Sequence, residues 1–191
     1  DNARKQAIFT KTTQLYPNDY RAYNNLGELA FAAGDAAKAE SFFKQALAKN
    51  ANAAEANANL GLCELLKNNV STAETYLSKA TGADAANEAL GNLYIKQGQY
   101  QRAVNAFGNA KTNSAAQAQI LAKDYNKAKA TLEAIKDKDA MTDYLMAIVG
   151  ARTNNESLVK NSIKAAIAKD ASLATKAAND REFAKFASAL K

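Results

Sequence analysis

Apolar and small residues recur along this chain at steps of three and four. Ala39, Phe43 and Ala46 form one such run, and Val159, Ile163 and Ala166 another. Residues at that spacing share one face of a helix, whereas a half-buried strand would alternate every second residue. The pattern also repeats at long range. Leu26-Gly27, Leu60-Gly61 and Leu90-Gly91 stand in similar contexts, 34 and then 30 residues apart. Twelve residues after each glycine comes an alanine: Ala39, Ala73, Ala103. A bulky apolar residue follows four further on (Phe43, Leu77, Phe107), then another alanine (Ala46, Ala80, Ala110). Between the halves of each unit lies a turn signal: Gly34-Asp35, Asn68-Asn69 and Gly98-Gln99. Glycine, and asparagine next best, accept the left-handed conformation that ends a helix. Each unit therefore predicts two helices and a tight turn, with the small residues marking where the helices cross.

The phase extends in both directions. Residues 1–19 read as the trailing helix of an incomplete unit, with Phe9 in its bulky slot and Pro17 just past its end. The missing leading helix, and a start at Asp1 rather than Met, predict a processed or excised piece. Full units are expected at 20–53, 54–83, 84–111, 112–138 and 139–170. In the fourth, Asp124-Tyr125-Asn126-Lys127-Ala128 echoes Gln99-Tyr100-Gln101-Arg102-Ala103, but its leading helix, near 113–122, is short. The fifth begins near Met141 and turns at Asn154-Asn155. Residues 171–191 are expected to form a capping helix with Leu173, Ala177, Phe183, Phe186 and Leu190 on one apolar face, because a stack of repeats must cover its last open core. Asp180 is placed to cap the helix carrying the two phenylalanines.

Composition narrows the chemistry. Alanine, the best helix former, makes up roughly a quarter of the chain, and there is a single proline. An all-α protein follows. The net charge is +6, carried mostly by lysines spread along the chain among Asp and Glu, which reads as solvated helix faces. Histidine is absent, which removes the commonest general base and metal ligand. The one cysteine, Cys63, allows no internal disulfide, and its place on a stripe with Leu60 makes it a small core residue. No carboxylate pair, phosphate loop or metal-ligand spacing stands out. No catalytic residue, no metal and no cofactor are therefore expected. No stretch approaches the roughly 18 to 20 apolar residues that cross a bilayer, so direct membrane insertion is not expected either.

The repeat resembles the tetratricopeptide repeat, and Leu90-Gly91-Asn92-Leu93-Tyr94-Ile95-Lys96-Gln97-Gly98-Gln99-Tyr100-Gln101-Arg102-Ala103 matches it best. The resemblance implies a right-handed α-solenoid of antiparallel helix pairs, whose leading helices line a concave groove. Ligand-binding positions implied for that groove are Arg21, Asn25, Glu28 and Phe31 in the first full unit, Asn59, Leu62 and Leu66 in the second, and Asn92, Ile95 and Lys96 in the third. Asn25 and Asn59 hold the same slot of successive units, and an asparagine row hydrogen-bonds an extended peptide of any sequence. Some members of the family clamp a C-terminal carboxylate with Lys, Arg and Asn. The corresponding slots here carry Asn24, Glu28, Asn59, Ala85 and Ala89, of which only Asn59 fits. The resemblance also marks departures: Asn57, Asn87 and Glu64 occupy slots that usually hold an apolar residue. They predict a loosely packed second unit, or a Glu64 turned out to solvent.

These observations favour a protein–protein interaction scaffold that binds a protein or peptide partner. The alternative is a structural spacer or assembly module of a larger bacterial cell-envelope protein, because Asp180-Arg181-Glu182-Phe183 is similar to tetratricopeptide regions of secreted or outer-membrane-linked Bacteroides-group proteins. That likeness suggests a periplasmic or outer-membrane-associated location, with the cytoplasm as the other choice. Nucleic acid is not an expected partner: the period drifts and the cations gather on no one face. The partner's identity and the oligomeric state stay open.

Overall fold

A computed structural model describes residues 1–80 and 82–190, with side chains as far as 188. Its described residues contain helices and turns and no strand. Two compact units divide the chain at Leu90–Gly91. The first contains α1 (Asn2–Leu15), α2 (Tyr20–Ala32), α3 (Ala36–Lys49), α4 (Ala54–Leu66) and α5 (Val70–Lys79). The next helix, α6 (Asp84–Lys96), begins in the first unit and ends in the second. The second continues with α7 (Tyr100–Phe107), α8 (Asn113–Leu121), α9 (Tyr125–Ala134), α10 (Ala140–Arg152), α11 (Glu156–Lys169) and α12 (Leu173–Asn179), then a 3-10 segment, Arg181–Leu190, kinked at Phe186. Sequential helices pack as pairs: α2 on α3 and α4 on α5 in the first unit, α8 on α9 and α10 on α11 in the second. This is the consecutive pairing of a tetratricopeptide-type α-solenoid.

The small residues do what their spacing implies. A Cβ added at Gly27 would lie 2.4 Å from Cε1 of Phe43, one at Gly61 would lie 2.7 Å from Cγ of Leu77, and one at Gly91 would lie 2.5 Å from Cε2 of Phe107. Each bulky partner stands sixteen positions after its glycine. The same step joins Ala116 to Leu132 and Ala147 to Ile163 in the later pairs, where both alanines have no exposed surface. The helices approach closely enough that one side of each crossing has almost no side chain.

A shared device closes the turns. Gly34, Asn68, Gly98, Lys123 and Asn154 all take positive φ, between 56° and 81°. In each case the next backbone N–H reaches back to a carbonyl five residues earlier, as from Asp35 to Ala30 (2.9 Å) and from Asn155 to Gly150 (2.7 Å). That is the bond pattern that satisfies a helix's last carbonyls. The following helices start on side-chain caps where an acceptor is available, with Asp35, Asp124 and Asn155 each accepting from a backbone N–H three residues on.

Two expectations are corrected. Glu64 does not face solvent: it is 6% exposed, its Oε1 lies 2.6 Å from Lys67 Nζ, and Asn69 donates to its Oε2 at 2.8 Å. Lys67 also reaches Glu40 on α3 at 3.0 Å. Nor is the second unit loose at Asn57, which is 1% exposed and donates from Nδ2 to the carbonyls of Ala51 and Ala53, both at 3.0 Å. Here a polar side chain replaces an apolar one by tying down the loop that enters α4. At the other end, the apolar positions Leu173, Ala177, Phe183 and Phe186 are buried together, on two short helical segments. Asp180 joins them, accepting from the Glu182 N–H at 3.0 Å and from the Tyr144 hydroxyl at 2.6 Å. The Leu190 side chain lies outside the described residues. Helix α1 buries no residue, with Phe9 half-buried and Ile8, Leu15 and Tyr16 exposed.

Candidate functional site

Helices α2 and α4 touch through a polar cluster in the first unit. Asn24 donates to Glu28 Oε1 at 2.9 Å, one turn along α2. Asn59 on α4 donates to Asn24 Oδ1 at 3.1 Å and to Glu28 Oε1 at 3.2 Å. Two amides therefore orient one carboxylate oxygen. Glu28 Oε2 accepts no hydrogen bond from the described residues, and Glu28 is exposed.

Beside the cluster lies a cleft of about 120 Å³ lined by Glu28, Phe31, Ala32, Phe43, Asn59 and Leu62. Phe43 is the ring that packs over Gly27, so the floor of the cleft is part of the helix crossing. Phe31 forms the open wall and is 41% exposed, a large aromatic surface left to solvent. Leu62 is half-buried. Leu66, one turn further along α4, is 70% exposed. A cleft with apolar walls and one oriented carboxylate at its rim suits recognition: apolar area supplies affinity and the charged group supplies orientation.

The remaining sequence-derived positions divide. Arg21 is exposed and closed onto Asp19, its Nη2 2.6 Å from Oδ2 and its Nε 2.9 Å from Oδ1. Hydrogen bonding to that guanidinium holds the Asp19 carboxyl down at about 2. Asn25 is half-buried and takes no part in the cluster. Asn59 is not the free amide that an asparagine row needs, since its Nδ2 is engaged by Asn24 and Glu28. On the part of α6 in the second unit, Asn92 and Ile95 are half-buried and Lys96 is exposed. Nearby, Arg102 stacks 4.1 Å from the Tyr94 ring centroid and donates to its hydroxyl at 2.7 Å.

Sequence reasoning passed over Asn24, Ala32 and Phe43 as members of the site. Asn24 was legible in principle, because it stands four residues before Glu28 on the same helix face. A second depression, of about 250 Å³, lies among α1, α2 and α3 and includes Gln6, Leu29, Asp35 and Lys38.

Models of the tetratricopeptide repeat match residues 3–54, 30–94 and 86–112. The chain belongs to the tetratricopeptide repeat family. Three solved tetratricopeptide-type structures illustrate the likeness. YrrB, described as a tetratricopeptide repeat protein with an unusual peptide-binding site, is 21% identical with a TM-score of 0.67, over 85% of this chain and 92% of its own. PilF of Pseudomonas aeruginosa is 14% identical with a TM-score of 0.70, over 98% and 89%. PilW, described as a widely conserved type IV pilus biogenesis factor, is 21% identical with a TM-score of 0.61, over 100% and 91%. At such identities the likeness is one of fold. No curated protein matches the chain in sequence.

Tetratricopeptide repeats generally serve as non-catalytic scaffolds for other proteins. In this one, no group of three or more Cys, Asp or Glu among the described residues is placed to hold a metal ion. None of its described helices is long and apolar enough to cross a membrane.

Proposed function

We propose that this tetratricopeptide repeat chain is an interaction scaffold, and that the α2–α4 face of its first unit binds a segment of a protein or peptide partner. The observation that carries the reading is the cleft: Phe31 holds large apolar surface open to solvent in the same cleft as an oriented Glu28 that has no ion pair among the described residues. An open cleft that joins exposed apolar surface to an oriented polar group is the usual form of a binding site. The reading assigns the chain no catalytic role. Asn25 and Arg21 flank the face and serve as its outer contacts. Taken by itself, the second unit carries Asn92, Ile95 and Lys96 in the matching slots of α6, and these are proposed as contacts of that unit alone.

The test is affinity capture with the chain as bait, run beside a Phe31→Ser, Leu62→Ser bait of matched stability. A protein retained by the first and lost from the second supports the face. Retention of the same proteins by both baits, or of none by either, refutes it. A second reading, an assembly module of a bacterial cell envelope, draws support from a fold shared with a protein described as a pilus biogenesis factor. Fractionation of the native host, with the chain tracked by antibody, separates an envelope location from a cytoplasmic one.

A further inference from the structure

We infer that the α2–α4 face selects a basic segment built around one aliphatic residue. The inference rests on the reading that this face binds a partner, and it names what the partner must carry.

The charge at the face is acidic. Glu28 has no cationic partner among the described residues, and its Oε2 is unbonded. Glu55 stands one helical turn before Asn59 on the same side of α4, exposed and without an ion pair among the described residues. Arg21, the one cation within α2 and α4, is already closed onto Asp19. The chain's overall charge of +6 hides this. Residues 1–90 carry nine Lys and Arg against ten Asp and Glu, a balance of −1, while the rest carry sixteen against nine, a balance of +7. A protein that is basic as a whole thus presents an acidic recognition face in a first unit whose own balance is −1.

The physical consequence concerns desolvation. A partner that fills the cleft also covers Glu28, one of the residues that line it, and strips water from it. Removing hydration from a charge without replacing it is costly. A Lys or Arg on the partner replaces it, with Glu28 Oε2 free to accept. An acidic partner adds like-charge repulsion to the same cost. The cleft itself, about 120 Å³, is somewhat smaller than a cavity of ~150 Å³ that takes up one benzene, so it suits a single Leu, Ile or Val side chain. The segment that fits therefore has an aliphatic residue with Lys or Arg within one or two positions of it.

The experiment is selection from a phage-displayed random heptapeptide library on the full chain. Counter-selection on Phe31→Ser, Leu62→Ser removes peptides that bind elsewhere. Circular dichroism and urea midpoints check the fold of that variant, and Phe31→Ser alone replaces it if the midpoint falls. The expected result is enrichment of Lys or Arg beside an aliphatic position. The expected affinity of an enriched peptide falls on the order of tenfold in Glu28→Gln, Glu55→Gln, and the loss shrinks as salt is raised. Glutamine retains an oxygen for Asn24 and Asn59, so the cluster survives the change. Enriched peptides that need Phe31 and Leu62 but are neutral or acidic overturn the charge selectivity and leave the face standing. An unchanged affinity in the double glutamine variant does the same. Absence of any enrichment dependent on Phe31 and Leu62 overturns both the inference and the reading beneath it.

Discussion

Replacing Gly27 by alanine tests the geometry on which the repeat is built. In an exposed helix interior that change stabilises by about 1 kcal/mol, because alanine restricts the unfolded backbone and glycine does not. At Gly27 the new methyl would sit 2.4 Å from Cε1 and 2.6 Å from Cδ1 of Phe43. Carbon atoms prefer about 3.5–4.0 Å, so the ring must retreat by roughly an ångström. It cannot do so freely, since Phe43 is 1% exposed and shares its cluster with Ala30, Ala39, Leu60 and Cys63. Overpacking of this kind costs about 1–3 kcal/mol, and with the backbone gain subtracted Gly27→Ala should destabilise by up to about 2 kcal/mol. The decisive comparison is a cycle with Phe43→Ala. That change alone costs about 3–5 kcal/mol by leaving a cavity. In its background the methyl added at Gly27 meets no ring, and Gly27→Ala should become stabilising by up to about 1 kcal/mol. Urea unfolding followed by far-ultraviolet circular dichroism reads each corner of the cycle, with m-values compared to confirm that the midpoints report stability. Gly27→Ala having the same effect in both backgrounds, or stabilising the wild type, would refute the close-crossing argument.

Three further outcomes follow from single contacts. Lys123 holds φ at 65° where the other turns use Gly or Asn, so Lys123→Gly should raise stability by about 0.5–1 kcal/mol, and a lowered urea midpoint would show that Lys123 makes a compensating contact. Tyr144→Phe removes a 2.6 Å bond to Asp180 from a side chain 2% exposed; it should cost about 1–2 kcal/mol and speed amide hydrogen exchange in residues 173–188, and unchanged exchange there would show that apolar packing alone holds the cap. Lys67 and then Asn69 hold the Glu64 carboxyl below its ordinary value of 4.5, and Lys44 with Lys67 does the same for Glu40. The stability these carboxylates contribute is complete above pH 4.5 and is lost as pH falls through their lowered values. The urea midpoint should therefore drop on acidification below 4.5, and an equally steep drop in Glu64→Gln would contradict that assignment.

How much of this was legible depended on whether the cause was local. The Gly27, Gly61 and Gly91 steps were readable because a close helix crossing needs a small residue on one side and a bulky one sixteen positions on, whatever surrounds it. Asn68 and Asn154 announced their turns by residue type. Lys123 did not, because nothing in a lysine signals positive φ; the constraint comes from the helices on either side. Glu64 was misread because its burial depends partly on Lys67 reaching Glu40, 27 residues back on another helix. Asn57 was misread for a related reason: its two acceptors, Ala51 and Ala53, are backbone carbonyls of a loop, and backbone carbonyls leave no trace in a sequence pattern. Of the candidate face, Phe31, Leu62 and Glu28 were placed by their slots, but the bonds tying Asn59 to Asn24 and Glu28 are tertiary.

Those bonds change what the face is. A row of free asparagines would grip any extended backbone, and affinity would track chain conformation rather than sequence. Once Asn59 is committed to Asn24 and Glu28, its amide N–H groups are no longer the main offer to a ligand. What remains free is one carboxylate oxygen, an apolar cleft, and the open Phe31 ring. Such a set discriminates by charge and by side-chain size. Phe43, which packs over Gly27 at the crossing, sets the cleft's floor, while Phe31 and Glu28 stand outside the crossing at its rim. Substitutions at the rim should therefore move affinity with little change in the urea midpoint, and those at the floor should move both. A Phe31→Ser chain that loses stability as Gly27→Ala does would show that the ring is a structural prop, and the case for a partner on this face would fall with it.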